Sequence, residues 1–170
     1  LDNLLDPEAS LMRPGRWVGV QRGGSSIEPD ATGPVFMHSA SGPPDGGWVH
    51  LLDVPVPYWR TVTVSMLLSA YEGQTARLVV TEVGIDGTDG PSREVSTSGV
   101  RERVTTTFRT SGETVSLRFA VKGAVTIARP QVTLTDGPRD WVPGQGCRHA
   151  VIVGPAGESV PVSYTHLRAH

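Results

Sequence analysis

The sequence predicts an all-β protein, a two-sheet sandwich of jelly-roll type. Segments in which apolar and polar residues alternate recur along the chain, with glycine- and proline-rich turns between them. The 170 residues include Gly 20 and Pro 14, a composition that favours a turn-rich β architecture over a helical one. No segment carries apolar residues at helical spacing over three turns, so we predict no helix.

The first half of the chain predicts short strands followed by a long one. Short alternating segments over residues 16–20, 35–39 and 48–54 stand among Gly, Pro and Ser, with a long loop at about 39–47. Residues 58–70 read YWRTVTVSMLLSA, in which apolar residues occupy alternate positions. A glycine-containing connection of five residues leads to a further strand over 76–83, which predicts a hairpin.

The second half predicts turns, a second hairpin and a closing strand. Residues 85–92, IDGTDGPS, hold two Asp-Gly pairs that suit tight turns. Strands over 101–109 and 114–121 are joined through TSGE, which predicts another hairpin. The strand over 124–135 contains Pro130, which cannot donate to the ladder and therefore indicates an edge or bulge position.

The chain divides into four predicted parts. Residues 1–136 form the jelly-roll sandwich, 137–147 a Pro/Gly-rich connector, and 148–161 the start of a second β segment. Residues 162–170, VSYTHLRAH, resemble a translated sequencing adapter and are excluded from the interpretation of the fold. Because the chain begins at Leu1 and leads into a second segment, we expect it to be a piece of a longer modular protein.

Composition excludes several function classes. The net charge is -2 and Lys122 is the single lysine, so no clustered basic surface predicts nucleic-acid binding. Apolar runs are far shorter than the roughly 20 residues of a membrane helix, and we expect no membrane insertion. Cys147 is the only thiol, so no intrachain disulfide can form, and we interpret it as a small packing residue.

Scattered marks resemble a galactose-binding-like jelly roll of the carbohydrate-binding-module kind. They are Asn3-Leu4-Leu5, Trp17, the Tyr58-led strand with Ser65, the Asp86-Gly87 turn and Pro130-Gln131. The exit stretch, Thr135 to Trp141 followed by Pro143 to Cys147, resembles minor tail proteins of long-tailed phages and prophages of high-GC bacteria.

These resemblances imply a non-enzymatic virion component at the tail tip or baseplate. Its partners would be other phage tail proteins and host-surface carbohydrate, with a role in host recognition. The alternative is a carbohydrate-binding module of a secreted polysaccharide-acting enzyme, and a third reading is a spacer that binds nothing. The two contexts predict different locations, the virion or the extracellular space.

Three aromatic residues are candidates for carbohydrate binding, because the CH face of a pyranose stacks on an aromatic ring. They are Trp48, which opens a strand, and the adjacent Tyr58 and Trp59. Alternation along a strand would place one ring of the adjacent pair in the core. We interpret Trp17 and Trp141 as packing residues, given the area that a buried indole contributes.

No motif for catalysis or metal binding occurs. The sequence has no Gly-x-Ser-x-Gly elbow and no His-Glu-x-x-His pair. We interpret the histidines on or beside short strands (His38, His50 and His149) as surface or partly buried residues and not as ligands. A carboxylate pair for glycoside hydrolysis would have to come from residues such as Asp45, Asp53 and Glu82. We therefore predict no enzyme activity and no cofactor.

The IDGTDG stretch lacks the EF-hand spacing of oxygen ligands, and we interpret it as a plain turn. The jelly-roll resemblance implies a structural calcium, but the sequence identifies no ligand set for one.

Overall fold

The alternating segments assemble into two antiparallel five-stranded sheets that pack face to face as a jelly-roll β-sandwich. The computed structural model describes residues 3–13, 16–20, 25–30, 33–39, 48–123, 125–146, 149–153 and 159–163. Within these ranges the elements are α1 Pro7–Ser10, β1 Val18–Val20, β2 Ser25–Asp30, β3 Gly33–Ser39, β4 Trp48–Pro55, β5 Thr61–Ala70, β6 Ala76–Gly84, β7 Asp89–Thr97, β8 Glu102–Arg109, β9 Thr114–Lys122, β10 Val125–Thr133, β11 His149–Val153 and β12 Ser159–Ser163. The all-β jelly-roll prediction is confirmed.

The order of the strands defines the two layers. The first sheet runs β1-β4-β9-β6-β7 and the second runs β2-β3-β10-β5-β8, while β11 and β12 pair separately. The core lies between the sheets and is filled by the alternate residues that the sequence pattern selects. From the first sheet these include Leu78, Val80, Leu117, Phe119 and Val121, and from the second Val62, Val64, Met66, Leu68 and Ile127. Trp17 is also buried in this core, which confirms its interpretation as a packing residue.

Both predicted hairpins are wrong. β5 and β8 belong to the second sheet, whereas β6 and β9 belong to the first, so the connections β5–β6 and β8–β9 cross from one sheet to the other. Alternation identifies which side of a strand is buried, but a short polar loop can join neighbours in one sheet or strands of facing sheets. Between β5 and β9, the consecutive strands that pair are β6 and β7, joined through the turn that begins at Ile85, and β2–β3 and β11–β12 are further pairs of consecutive strands.

Three elements were not predicted, namely β2, β7 and α1. β7 begins within the Asp-Gly-Pro stretch that suggested only turns, and it is an exposed edge strand, where proline is tolerated. α1 is a single helical turn with Pro7 in its first turn and Asp6 as its N-cap. It is too short to produce the helical spacing on which the prediction relied.

Pro130 lies at a bulge, which was one of the two positions predicted for it, an edge or a bulge. The register between β10 and β5 shifts between Ala128 and Gln131. β10 is a central strand, with β5 on one side and β3 on the other, but its pairs with β3 run only from Val125 to Ala128 and end before Pro130. The bulge accommodates the residue without a backbone donor in a central strand.

The segment after β10 is fixed to the sandwich through the buried side chain of Asn3. The Asn3 amide nitrogen donates to the carbonyl oxygens of Pro130 at 3.1 Å and Val142 at 3.0 Å. Its Oδ1 accepts from the backbone nitrogens of Leu5 and Val132. All four hydrogen bonds that the amide side chain can make are therefore formed, and residues up to 146 follow the surface of the sandwich. The division into domains stays a prediction.

Candidate functional site

Three loops meet at one end of the sandwich, because the strands that carry them end there. They are the β4–β5 loop (56–60), the β6–β7 turn (85–88) and the β8–β9 loop (110–113). Together with flanking strand residues they enclose a cleft of about 630 Å³, here called the end cleft. Its volume falls in the range typical of small-ligand sites.

Trp59 stands exposed beside this cleft. The residue has 57% of its surface exposed, and its backbone is in the left-handed region with φ 53. Its indole lies against Gly112 of the β8–β9 loop, so closely that a Cβ added to that glycine would be 2.7 Å from the ring atom Cζ2. The Arg109 guanidinium carbon lies 5.7 Å from the ring centroid. These neighbours hold the ring while leaving much of it accessible.

Thr110 locks the two loops that carry Trp59 and Gly112 together. Its hydroxyl donates to the Pro57 carbonyl oxygen at 2.8 Å and accepts from the Arg60 backbone nitrogen at 3.0 Å. Its own backbone nitrogen donates to the Arg60 carbonyl oxygen at 2.9 Å. The β4–β5 loop is thereby fixed on both sides of Trp59.

Glu82 supports the floor of the cleft from below. Its Oε1 accepts from the Ser111 backbone nitrogen at 2.8 Å and the Thr114 hydroxyl at 2.7 Å, and its Oε2 pairs with Arg93 at 2.7 Å. Burial alone would raise the pKa of this carboxyl, but the hydrogen bonds from Arg93, Thr114 and Ser111 outweigh burial and lower it. Glu82 is therefore an ionised group that ties β6, β7 and the β8–β9 loop into one unit.

The rim of the cleft carries carboxylates. The pKa of Asp86 is lowered by hydrogen bonds from the Thr88 side chain and backbone, and Asp86 thereby closes the β6–β7 turn. The pKa of Asp89 is lowered mainly by its pairing with Arg118. The plain-turn interpretation of IDGTDG therefore holds for its first Asp-Gly pair, Asp86-Gly87, whereas Asp89 and Gly90 begin β7.

The same contacts test the implied calcium site. The Asp86 carboxylate accepts a hydrogen bond from its own turn, and Asp89 pairs with Arg118. Throughout the described ranges no three His, Cys, Asp or Glu side chains gather around one point.

Of the three predicted aromatic residues, the structure places Tyr58 in the lining of the end cleft and Trp59 against the lining residue Gly112. Trp48 opens β4, which ends at Pro55 near this loop, so its backbone lies at the opposite end of the strand; its side chain is outside the described residues. The prediction that one ring of the adjacent pair is a core residue is wrong, because both precede β5, and Tyr58 is only half-buried.

The remaining candidates are dispersed. Glu82 is buried and hydrogen-bonded, whereas Asp53 is exposed on β4, so these two do not form a carboxylate pair facing one ligand. Asp45 and Cys147 lie outside the described residues. The structure likewise describes only the backbone of His38, His50 and His149.

Sequence reasoning missed the role of Gly112 and of Glu82. The signal for Gly112 was weak, because a glycine in a polar loop is expected on turn grounds alone. Glu82 had a clearer signal, a carboxylate at an inward position of an alternating strand, which requires a buried partner.

The fold and the end cleft define a jelly-roll β-sandwich like those of carbohydrate-binding modules. No protein-family model matches the chain, and no curated protein matches its sequence. One similar solved structure is the enzymatically active domain of tailspike protein 4 of bacteriophage CBA120. Its TM-score is 0.57 at 9% identity, over 78% of this chain and 21% of the tailspike.

Two further structures contain carbohydrate-binding modules. The CBM22-1 and GH10 modules of the Clostridium thermocellum endo-1,4-β-D-xylanase 10B, complexed with xylohexaose, give a TM-score of 0.55 at 9% identity, over 71% of this chain and 26% of that one. TmCBM61, in complex with β-1,4-galactotriose, gives a TM-score of 0.53 at 15% identity, over 79% of this chain and 100% of the module. The chain therefore spans about a fifth of the tailspike and a quarter of the xylanase. At these identities the likeness shows the fold.

Among the described residues, no helix is both long enough and apolar enough to cross a membrane.

Proposed function

We propose that this chain is a non-catalytic carbohydrate-binding module that holds neutral sugar residues at the end cleft. The observation that carries the proposal is the exposed indole of Trp59, fixed on Gly112 at the rim of a cleft of about 630 Å³. An exposed ring held by two loops is a prepared stacking surface, because its conformation does not have to be ordered when a ligand arrives.

The chemistry around the ring suits a hydroxyl-rich ligand. A pyranose presents an apolar CH face to an indole and hydroxyl groups at its edges. Carboxylates such as Asp86 and Glu113 line the cleft and accept hydrogen bonds from hydroxyl groups. The same negative charge disfavours an anionic ligand, which supports a neutral sugar.

The similar solved structures support this choice of ligand class. One of them was solved with β-1,4-galactotriose and another with xylohexaose, both neutral oligosaccharides. Their relation to this chain is one of fold, so the identity of the sugar is a matter for experiment.

The state of the carboxylates supports a binding role over a catalytic one. Glu82 is buried beneath the loops, and both of its oxygens accept hydrogen bonds from the protein. Asp89 pairs with Arg118. Glycoside hydrolysis requires two carboxyl groups facing the scissile bond, and neither of these two is presented in that way.

The experiment is a screen of neutral oligosaccharides, including β-1,4-galactan and xylan fragments, followed by calorimetric titration of the sugars that bind. We expect Trp59→Ala to weaken binding by at least about tenfold, since the stacked ring supplies a large part of the contact. The matched control is Val100→Ala, which truncates an exposed apolar residue in the β7–β8 loop at the opposite end.

Equal affinity of wild type and Trp59→Ala for every sugar that binds would contradict the end-cleft assignment. Failure of all neutral sugars to bind would contradict the neutral-carbohydrate function itself. A comparable loss in Val100→Ala would show that the effect is not local to the cleft.

For the larger assembly, we propose a minor tail protein of a phage or prophage, located in the virion at the tail tip. The exit stretch from Thr135 to Cys147 supports this context, as does the fold similarity to a phage tailspike. Sequencing the flanking DNA tests it: neighbouring tail-assembly genes are expected. A hydrolase domain in the same reading frame would instead support a secreted carbohydrate-active enzyme.

A further inference from the structure

A second pocket lies on the outer face of the second sheet. It has a volume of about 580 Å³ and is here called the outer-face pocket. Leu67 of β5, Arg103 of β8 and Arg129 of β10 form its floor, and the connector from Pro138 to Trp141 forms its wall. It shares no lining residue with the end cleft.

The β10 bulge and the connector build this pocket. Arg129 occupies the bulge with φ 51, a left-handed conformation that is uncommon for a residue with a side chain. Its guanidinium carbon lies 5.9 Å from the centroid of the Trp141 ring. The Trp141 indole nitrogen donates to the Pro130 carbonyl oxygen at 3.0 Å, which fixes the ring beside the arginine.

Gln131 holds the rest of the wall. Its side-chain nitrogen donates to the Arg139 carbonyl oxygen at 3.0 Å, and its Oε1 accepts from the Val142 backbone nitrogen at 3.0 Å. The connector is therefore a fixed part of the surface, and the positions of Arg139 and Trp141 are determined by the fold.

The pocket concentrates positive charge in a chain whose net charge is -2. Its lining contains three guanidinium groups, on Arg103, Arg129 and Arg139, and the carboxylate of Asp140, and Arg139 also pairs with Asp136 at 3.9 Å. A guanidinium group whose hydrogen bonds go to neutral acceptors attracts an anionic ligand, and Arg103 meets this condition.

Arg103 is the central member of this group. Its hydrogen bonds go to neutral acceptors, the Ser65 hydroxyl at 3.0 Å and the Arg129 carbonyl oxygen at 3.3 Å. Partial burial and the charge of Arg129 lower its pKa, so the folded protein leaves its charge less well compensated than in water. By contrast, Arg139 of the same pocket and Arg93 and Arg118 of the first sheet each pair with a carboxylate.

We propose that the outer-face pocket binds an acidic sugar residue, with the arginines contacting its anionic group and Trp141 contacting its ring. Guanidinium groups match carboxylate and sulfate oxygens with paired hydrogen bonds, and an adjacent aromatic ring suits a pyranose better than an isolated ion. The anionic group is a uronic carboxylate or a sulfate ester. This inference is independent of neutral-sugar binding at the end cleft.

The experiment compares ligands that differ only in charge. Calorimetry with trigalacturonate and with its methyl ester tests the carboxylate, and a sulfated galactan oligosaccharide with its unsulfated counterpart tests the sulfate. We expect at least one charged member to bind at least about tenfold more tightly than its neutral partner. If neither charged sugar binds better than its neutral partner, the proposal is overturned.

Variants locate the site. We expect Arg103→Gln and Arg129→Gln to lose most of this charge-dependent affinity, whereas Arg77→Gln on β6 of the first sheet retains it. Since Arg103 is partly buried, the exposed Arg139→Gln serves as a second probe, and thermal unfolding confirms that each protein folds. An equal loss in Arg77→Gln, or equal binding of a DNA oligonucleotide of the same charge, would indicate unspecific attraction and overturn the assignment.

Discussion

Trp59 and Gly112 show at the residue scale how two loops produce one exposed ring. A left-handed backbone costs a residue with a Cβ roughly 1–2 kcal/mol, and Trp59 adopts it with φ 53. Such conformations persist where the surrounding structure fixes them, and they concentrate at functional sites. Here the Thr110 hydrogen bonds to Pro57 and Arg60 supply that constraint.

Gly112→Ala is expected to weaken carbohydrate binding although it removes no aromatic ring. The added Cβ would lie 2.7 Å from the Trp59 ring and must displace it. We expect a loss of affinity of about tenfold and a destabilisation below about 1 kcal/mol, because the contact is at an exposed loop. Calorimetric titration and thermal unfolding measure the two effects. Gly137→Ala is the matched control, since its Cβ would have no neighbour closer than 3.9 Å; an unchanged affinity in Gly112→Ala would contradict the role of ring position.

Glu82→Gln is expected to destabilise the fold by about 2–3 kcal/mol at neutral pH. The glutamate accepts on both oxygens, whereas a glutamine would place an amide donor against either Arg93 or the Ser111 and Thr114 donors. Denaturant unfolding of both proteins measures the difference.

We also expect the effect of Glu82→Gln on stability to depend on pH. Because folding lowers the pKa of Glu82 below its ordinary value of 4.5, its stabilisation is present above that pH and is lost as the pH falls through the folded value. The difference in unfolding free energy between wild type and Glu82→Gln should therefore become smaller below about pH 4.5. Asp86 and Asp89 also have lowered pKa values, but they act in both proteins and cancel in the comparison. If this difference in unfolding free energy did not change with pH, the result would contradict an ionised Glu82.

At the scale of elements, the sequence predicted strands well and their partners poorly. The alternation in β5, β6 and β9 marks the residues that fill the core, because burial on one face of a strand imposes a period of two. The partner of each strand depends on which sheet the loop enters, and that information is spread over distant residues. β7 was missed because an exposed edge strand has little need of apolar alternation.

The contact between the connector and the N-terminal segment can be tested at Gly144. A Cβ at Gly144 would collide with the Leu5 carbonyl oxygen and lie 2.9 Å from that of Asp6. Gly144→Ala should therefore separate the connector from the N-terminal segment and destabilise the protein by about 1–3 kcal/mol. It should also weaken acidic-sugar binding, because the connector carries Trp141. Hydrogen exchange of residues 137–146 measures the release, and unchanged protection would contradict the packing described for this segment.

For the molecule as a whole, the two pockets have opposite electrostatic character. The end cleft has carboxylates at its rim, and the outer-face pocket is lined by three arginines and one aspartate. Added salt screens charge–charge attraction but has little effect on ring stacking. We expect rising ionic strength to weaken acidic-sugar binding and to leave neutral-sugar binding nearly unchanged. Calorimetry across a salt series checks this, and parallel responses of both ligands would contradict two separate sites.

The candidate site could be predicted in part. Tyr58 and Trp59 were identified from the chemistry of sugar recognition; Tyr58 lines the end cleft, and Trp59 lies against its lining residue Gly112. Their surroundings come from β6, β7 and the β8–β9 loop, which only the crossing between sheets brings near them. Arg103 and Arg129 gave no signal either, because a pair of arginines 26 positions apart becomes a cluster only through the pairing of β5 with both β8 and β10.

The most direct test of the central claim is amide chemical-shift mapping of the bound neutral oligosaccharide on the labelled protein. We predict that the largest shifts occur at residues 58–59, in the turn from 84 to 91 and in the loop from 111 to 115, with the Trp59 indole signal among them. Shifts confined to the opposite end of the sandwich, or no shifts with any neutral sugar, would contradict a carbohydrate-binding end cleft.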